Sequence, residues 1–302
     1  MLAPARIMPA TSRSAEEERH LSRVAIFTDS ASDLDPALAA ADGISIVPLL
    51  VTFGAETYKA GVEMSSATFW ERMVAPDAPF PKTAAASPGE FRDAFEAAFA
   101  AGAEAIVSVN VAGTLSGAIK SAQIARDMLP DREIHVVDTQ SASMAEGILA
   151  GLGVELGAEG RSAAEIAERL EARTPDMRVY VALETLEYLK KGGRISGPAA
   201  AIGTLLSVKP IIRVKDGIVD TVDKVRTRSK ARERLIELIT ERPIERLAML
   251  HTVSPDVAAF RDEVLARAPG LDPAAVTIGL VGPSVGPHLG PGCVGAAVLY
   301  RA

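Results

Sequence analysis

SPGEFRDAFEAAFAAGAEAIVSV, residues 87–109, is the stretch that decides the fold. Ser87 followed three positions on by Glu90, with Pro88 directly after the serine, is a capping box with proline in the first helical turn. Phe91, Ala94, Phe95 and Ala98 then recur at spacings of three and four, which places them on one helix face. Beyond Gly102, Ala105 to Val109 is apolar without strict alternation, the pattern of a strand buried on both faces. A capped helix feeding straight into such a strand is the repeating unit of a covered parallel sheet.

The same texture extends in both directions. Upstream, Val24-Ala25-Ile26-Phe27 ends in the polar group Thr28-Asp29-Ser30, and Asp35-Pro36 opens an alanine-rich helical stretch. Ile44 to Phe53 reads as one strand interrupted by Pro48, which demands an edge position or a bend. Downstream, Ser116 to Met128 reads as a helix, Ile134 to Val137 as a strand, and Ser162-Ala163-Ala164-Glu165 as a second capping box. After about residue 176 the pattern changes. Pro210 to Val214 and Ile218 to Val222 flank Lys215-Asp216-Gly217, a turn that closes a hairpin. The expected fold is α/β in two domains. An N-terminal parallel sheet with helices on both faces spans 23–176, and a C-terminal α+β domain with a mixed or antiparallel sheet spans 177–302. A disordered tail is expected over 1–22.

Composition narrows the function. The 302 residues carry 32 Lys and Arg against 39 Asp and Glu, a formal charge of -7, so no basic footprint for nucleic acid exists. The single cysteine, Cys293, excludes an internal disulfide and a cysteine-built zinc site, and its setting among glycines reads as a small buried apolar side chain rather than a reactive thiol. The first twenty residues lack the apolar core of a secretory signal, and no apolar run reaches the roughly 18 residues of a membrane span. A cytoplasmic protein is expected.

Several motifs fail on context. Gly290-Pro291-Gly292-Cys293-Val294-Gly295 matches the dinucleotide fingerprint by letter, but a terminal strand follows it where a helix is required, so it reads as a glycine-rich bend. Phe27-Thr28-Asp29 resembles phosphatases with a strand-end aspartate nucleophile, yet Ala31 stands where a second carboxylate is needed. Gly113-Thr114-Leu115-Ser116-Gly117 lacks the spacing of a nucleophile elbow. His20, His135, His251 and His288 are not spaced as a metal pair, and no metal site is expected. What remains is hydroxyls in polar loops near strand ends: Thr28 to Ser32, Thr83 to Ser87 and Gly113 to Gly117. A lone serine or threonine there is ordinarily an N-cap, but Thr83 and Ser116 are expected on one rim of the sheet, where hydroxyls and helix-start amides together hold a carboxylate or phosphate.

These segments resemble the DegV family, the fatty-acid-binding subunits of bacterial fatty acid kinase, from about Val24 to Tyr300. The matching stretches are Thr28-Asp29-Ser30; Pro81-Lys82-Thr83; Leu115-Ser116-Gly117 and Ser121-Ala122; Leu186 to Ser196 with its specific Gly192-Gly193-Arg194-Ile195-Ser196 run; Lys209-Pro210-Ile211; Lys224 to Arg228; and Gly282-Pro283 through His288, Gly290 and Gly292. The resemblance implies two domains with one long-chain fatty acid between them, its carboxylate held by Thr83 and Ser116. It places Arg194 and His288 near the head group and Arg226 on a face that meets the kinase; Thr28, Ser30 and Thr114 are also expected near the head group. It implies no cofactor and no catalytic residue in this chain, because the separate kinase brings ATP and metal and forms the acyl phosphate. Transient membrane contact for loading fits the same picture.

The chain also departs from the family pattern. Thr83-Ala84-Ala85-Ala86 stands where Thr-Ser-Gln-Pro is usual, and Ala112-Gly113-Thr114 where Ser-Ser-Gly is usual, so hydroxyls are lost at Ala84, Ala112 and Gly113. Thr114 either compensates or caps the following helix. Arg194 either steadies the head group or partners a helix C-terminus after Lys190-Lys191. The competing function is a self-sufficient small-molecule hydrolase or phosphoryl transferase using Asp29 or Ser116. With only 4% aromatic residues, any tunnel must be walled mainly by aliphatic side chains.

Overall fold

The computed structural model describes residues 24–195 and 208–302; the tail expected over 1–22 and Ser196 lie outside them. In chain order the first half runs β1 (Val24–Asp29), α1 (Pro36–Ala41), β2 (Ile44–Val47), β3 (Leu50–Phe53), β4 (Glu56–Lys59), α2 (Ser66–Met73), β5 (Lys82–Ala84) and α3 (Pro88–Ala100). It continues with β6 (Ala105–Asn110), α4 (Ala118–Asp127), β7 (Glu133–Asp138), α5 (Met144–Ala158) and α6 (Ala163–Arg173). Strands β2, β1, β6 and β7 form a four-stranded sheet in that order, every pair parallel.

Both capping boxes form. Ser87 Oγ accepts from Glu90 N at 3.3 Å while Glu90 Oε2 accepts from Ser87 N at 2.9 Å, and Ser162 with Glu165 repeats the arrangement. Phe91, Phe95 and Phe99 of α3 are buried against Phe27 and Ile106 of the sheet. The stretch expected as one strand over Ile44–Phe53 is two. Pro48 lacks an N–H for a ladder, and the chain turns there, so β2 ends as the edge of the parallel sheet while β3 joins a separate three-stranded sheet of order β4-β3-β5.

The second half runs β8 (Met177–Ala182), α7 (Glu187–Gly192), β9 (Lys209–Lys215), β10 (Ile218–Val225), α8 (Arg228–Ile239), β11 (Ile244–His251), α9 (Val257–Arg267), β12 (Thr277–Leu280), α10 (Gly286–Leu289) and β13 (Val294–Tyr300). Its six strands form a mixed sheet, β10-β9-β8-β13-β11-β12, antiparallel except where β12 joins β11. The hairpin of β9 and β10 closes through Asp216 and Gly217, both at positive φ. The fingerprint-like glycines form a bend, with Gly290 and Gly292 at positive φ before β13.

One apolar cluster joins the two sheets. Ile26, Val107 and Val137 of the parallel sheet and Val179, Ile212 and Leu299 of the mixed sheet pack with Leu149 and Ala150 of α5. That helix is apolar almost all round and is buried along most of its length, as a helix packed between two sheets must be. No helix among the described residues is long and apolar enough to cross a membrane.

Candidate functional site

A cavity opens where loops of the parallel sheet, the three-stranded sheet, α7, α10 and the β9–β10 hairpin meet. It holds about 720 Å³ not filled by atoms, part of it open to solvent. Its apolar wall includes Leu49, Val111, Leu115, Ile212, Val214 and Val219, and its polar groups are Thr83, Ser116, Arg194, Ser284 and His288.

Thr83 is not in a loop at the end of a parallel strand. It lies in β5, opposite Val51 of β3, so the three-stranded sheet carries it to the cavity. Its Oγ1 is 3.1 Å from Nε2 of His288, which sits not in an irregular loop but in the short helix α10. Burial, with a smaller push from the Arg194 charge, drives the imidazole down to about 4, so it is neutral near pH 7. Nδ1 of His288 is buried with no hydrogen-bond partner among the described residues. A proton on Nε2 leaves an unpaired acceptor at Nδ1, which is less costly than an orphaned N–H. In that tautomer Nε2–H donates to Thr83 Oγ1, and the threonine proton is free to donate into the cavity.

Ser116 reaches the cavity from the loop between β6 and α4. The helix begins at Ala118, two residues later than its sequence suggests, and Ser116 Oγ accepts from Ala118 N at 3.2 Å. Holding the helix-start amide and binding a ligand are therefore compatible, because the oxygen accepts from Ala118 N while the hydroxyl proton is available to an anion. Arg194 fixes this loop. Its Nε donates to Leu115 O at 3.2 Å and its Nη1 to Gly192 O at 2.5 Å, so it partners the C-terminus of α7 while lining the cavity.

The other expected residues are placed differently. Thr28 is fully buried and donates to Glu146 Oε1 at 2.6 Å, inside a cluster of acids and away from the cavity wall. Ser30 lies one hydroxyl behind the cavity, 2.8 Å from Ser284 Oγ. Thr114 is exposed and donates to Gly217 O at the hairpin tip, neither capping α4 nor lining the cavity. Arg226 is exposed between β10 and α8. Of the positions that lost a hydroxyl, Ala84 lines the cavity whereas Ala112 and Gly113 do not. Cys293 is buried and its thiol pushed up to about 11 by that burial.

Asp29 is fully buried beneath the loop and accepts from Ala31 N, Val111 N and Asn110 Nδ2, which leaves its carboxyl no face toward the cavity. Burial raises it to about 6, and it raises Asp33, which accepts from Ser143 Oγ and Gly282 N, to about 7. Glu146, buried in α5, is pushed up by desolvation and by Asp29. Sequence reasoning missed Glu146 although a lone acid in an apolar run was a visible signal. It also passed over Ser284, which lies inside the quoted Gly282 to His288 run.

Comparison with known proteins gives a consistent picture. A family model described as an uncharacterised protein of the DegV family matches residues 23–301. The chain is 34% identical over 288 residues to a DegV domain-containing protein of Streptomyces coelicolor, covering 92% of this chain and 99% of the other. Among solved structures it is similar to one describing fatty acid binding by a DegV family protein from Thermus thermophilus, with TM-score 0.84, 34% identity, and 92% and 100% of the two chains covered. It is also similar to a stearic-acid-binding protein from Eubacterium ventriosum, with TM-score 0.81, 26% identity, and coverage of 92% and 98%.

Proposed function

The chain belongs to the DegV family, and from that premise we propose that it binds one long-chain fatty acid with the tail in the apolar cavity and the carboxylate between Thr83 and Ser116. The observation that carries this reading is the convergence of two hydroxyls and a neutral imidazole in one aliphatic cavity. Each buried methylene contributes about 0.8 kcal/mol, so the tail supplies most of the affinity and the head group only orients. Neutral donors suit that task. They bind the carboxylate without a permanent ion pair and leave an oxygen able to attack a phosphorus.

The finer part of the reading is a carrier in the cytoplasm that presents the acid to a separate kinase, which forms the acyl phosphate. Arg226 lies on the face offered to that kinase, Arg194 and His288 steady the transferred phosphoryl group, and loading involves transient membrane contact. The two units, 23–176 and 177–302, flank the lipid. A hydrolase using Asp29 gains no support, since that carboxyl is occupied by three protein donors.

Denaturing the purified chain and analysing the released lipid by mass spectrometry tests the core of the proposal. A long-chain acid in stoichiometric amount is expected. An empty preparation that takes up neither oleate nor palmitate overturns it, and acyl phosphate formed from ATP by the isolated chain overturns the carrier role.

A further inference from the structure

Ser284 lines the cavity four residues before His288, and its hydroxyl has a partner on the far side of the wall. Its loop is pinned at both ends. Gly282 N donates to Asp33 Oδ1 at 2.7 Å, and Gly286 N donates to Gly282 O at 2.8 Å as α10 begins. Ser284 is thereby held buried, with Oγ 2.8 Å from Ser30 Oγ. Ser30 Oγ in turn accepts from Leu49 N at 2.8 Å.

Each serine has one proton, and the two hydroxyls share a single contact. If Ser284 donates, the Ser30 proton turns toward its own side, a second cavity that Ser30 lines with Asp33 and Ser66. If Ser30 donates, the chain runs from Leu49 N–H through Ser30 O–H to Ser284, and the Ser284 proton points into the main cavity. An anion in that cavity decides the direction, because each hydrogen bond in such a chain polarises the next and a charged acceptor strengthens the last. Ala31, Ala84, Ala85 and Ala142 also line the cavity and bring no side-chain donor.

We propose that Ser284 is a third hydroxyl donor to the bound carboxylate, oriented through Ser30, and that it makes the site select a free acid over an uncharged lipid with the same tail. This rests on the fatty-acid reading above. Ser284 works with Thr83 and Ser116 as a positioning and specificity-determining residue, and no covalent step is assigned to it.

The test uses the full chain stripped of lipid and titrated with palmitic acid and, separately, methyl palmitate. Ser284→Ala is expected to weaken palmitate binding about tenfold, the loss of one hydrogen bond to a charged group, while methyl palmitate stays within about twofold. Ser284→Thr keeps the hydroxyl and is expected to keep the preference for the acid, which guards against a packing artefact. Unchanged palmitate affinity in Ser284→Ala, or an equal fall for acid and ester, overturns the assignment while the fatty-acid reading stands. A wild-type chain that binds no palmitate overturns both.

Discussion

Thr83 Oγ1 and His288 Nε2 lie 3.1 Å apart although 205 residues separate them in the chain. The contact ties β5 of the three-stranded sheet to α10, which leads into the last strand of the mixed sheet. Because burial holds the imidazole neutral, the pair is a relay of neutral hydrogen bonds and not a charge-assisted one. The arrangement aims a hydroxyl proton at the cavity and adds no formal charge there to that of Arg194.

On the proposed reading, removing the hydroxyl of Thr83 or of Ser116 is expected to weaken acid binding, but the two substitutions differ in stability. Thr83→Val leaves the His288 N–H without a partner and is expected to cost about 1–3 kcal/mol of folding free energy. Ser116→Ala removes an acceptor for the Ala118 amide that water can replace at a partly exposed helix start, and costs about 1 kcal/mol or less. Each is expected to lower oleate affinity about tenfold. Urea unfolding combined with a binding titration checks both; equal stabilities would contradict the relay.

Gly192 packs against His288 so closely that an added Cβ falls 2.1 Å from Nδ1. Alanine is better than glycine in a helix by about 1 kcal/mol, while overpacking costs about 1–3 kcal/mol. The ring cannot retreat freely, being held by Thr83. Gly192→Ala is therefore expected to be neutral to about 2 kcal/mol destabilising and to reduce discrimination between acid and ester. A variant that retains full discrimination shows that His288 does not depend on this approach.

The β9–β10 hairpin walls the cavity with Ile212, Val214 and Val219, and its tip is fastened across to the parallel sheet's loops. Gly217 N donates to Gln140 O at 2.8 Å, and Thr114 Oγ1 donates to Gly217 O. Gly217 has φ +72, and a Cβ there would lie 2.6 Å from Thr114 Oγ1. Gly217→Ala is expected to cost about 1–2 kcal/mol through the left-handed backbone alone. Both Gly217→Ala and Thr114→Val are expected to speed release of a fluorescent fatty acid several-fold in stopped flow. Unaltered release rates would mean that the tip does not gate the cavity.

The buried acids predict a pH dependence of stability. Asp29, Asp33 and Glu146 all hold protons more tightly when folded than their unfolded values near 4 allow, because burial penalises the charged form. Their contribution is full below about pH 4 and declines as pH rises through the folded values, about 6 for Asp29 and about 7 for Asp33. His288 has the opposite sign, stabilising above about 6.5 and losing that contribution as pH falls toward about 4. Glu146→Gln removes one proton uptake and is expected to flatten the stability loss as pH rises above about 4.5, by up to about 1.4 kcal/mol per pH unit. Parallel slopes for wild type and variant in a denaturation series would refute the linkage.

Much of the architecture was legible because it is encoded locally. The Ser87–Glu90 box, the 3.6-residue spacing of Phe91 and Phe95, and the Lys215-Asp216-Gly217 turn act over a few residues, and each forms where its spacing placed it. Pro48 was read correctly as a break, but the sheet that β3 would join was not readable, since pairing with β5 depends on residues some thirty positions away. Thr83 thus reaches the cavity by a different element from the one its loop-like context suggested.

For the site, the residue types alone pointed to hydroxyls rather than a set of metal ligands near the strand ends, and family resemblance assigned them a carboxylate. Which hydroxyl faces which partner was decided only by tertiary structure. Thr28 turned to Glu146, Thr114 to Gly217, Ser30 to Ser284 and Thr83 to His288, in pairs 118, 103, 254 and 205 residues apart. The reason is physical. A helix cap closes within three residues of backbone, whereas a side-chain hydrogen bond between distant loops needs a heavy-atom fit of a few tenths of an ångström that only the packing of both sheets around α5 can set.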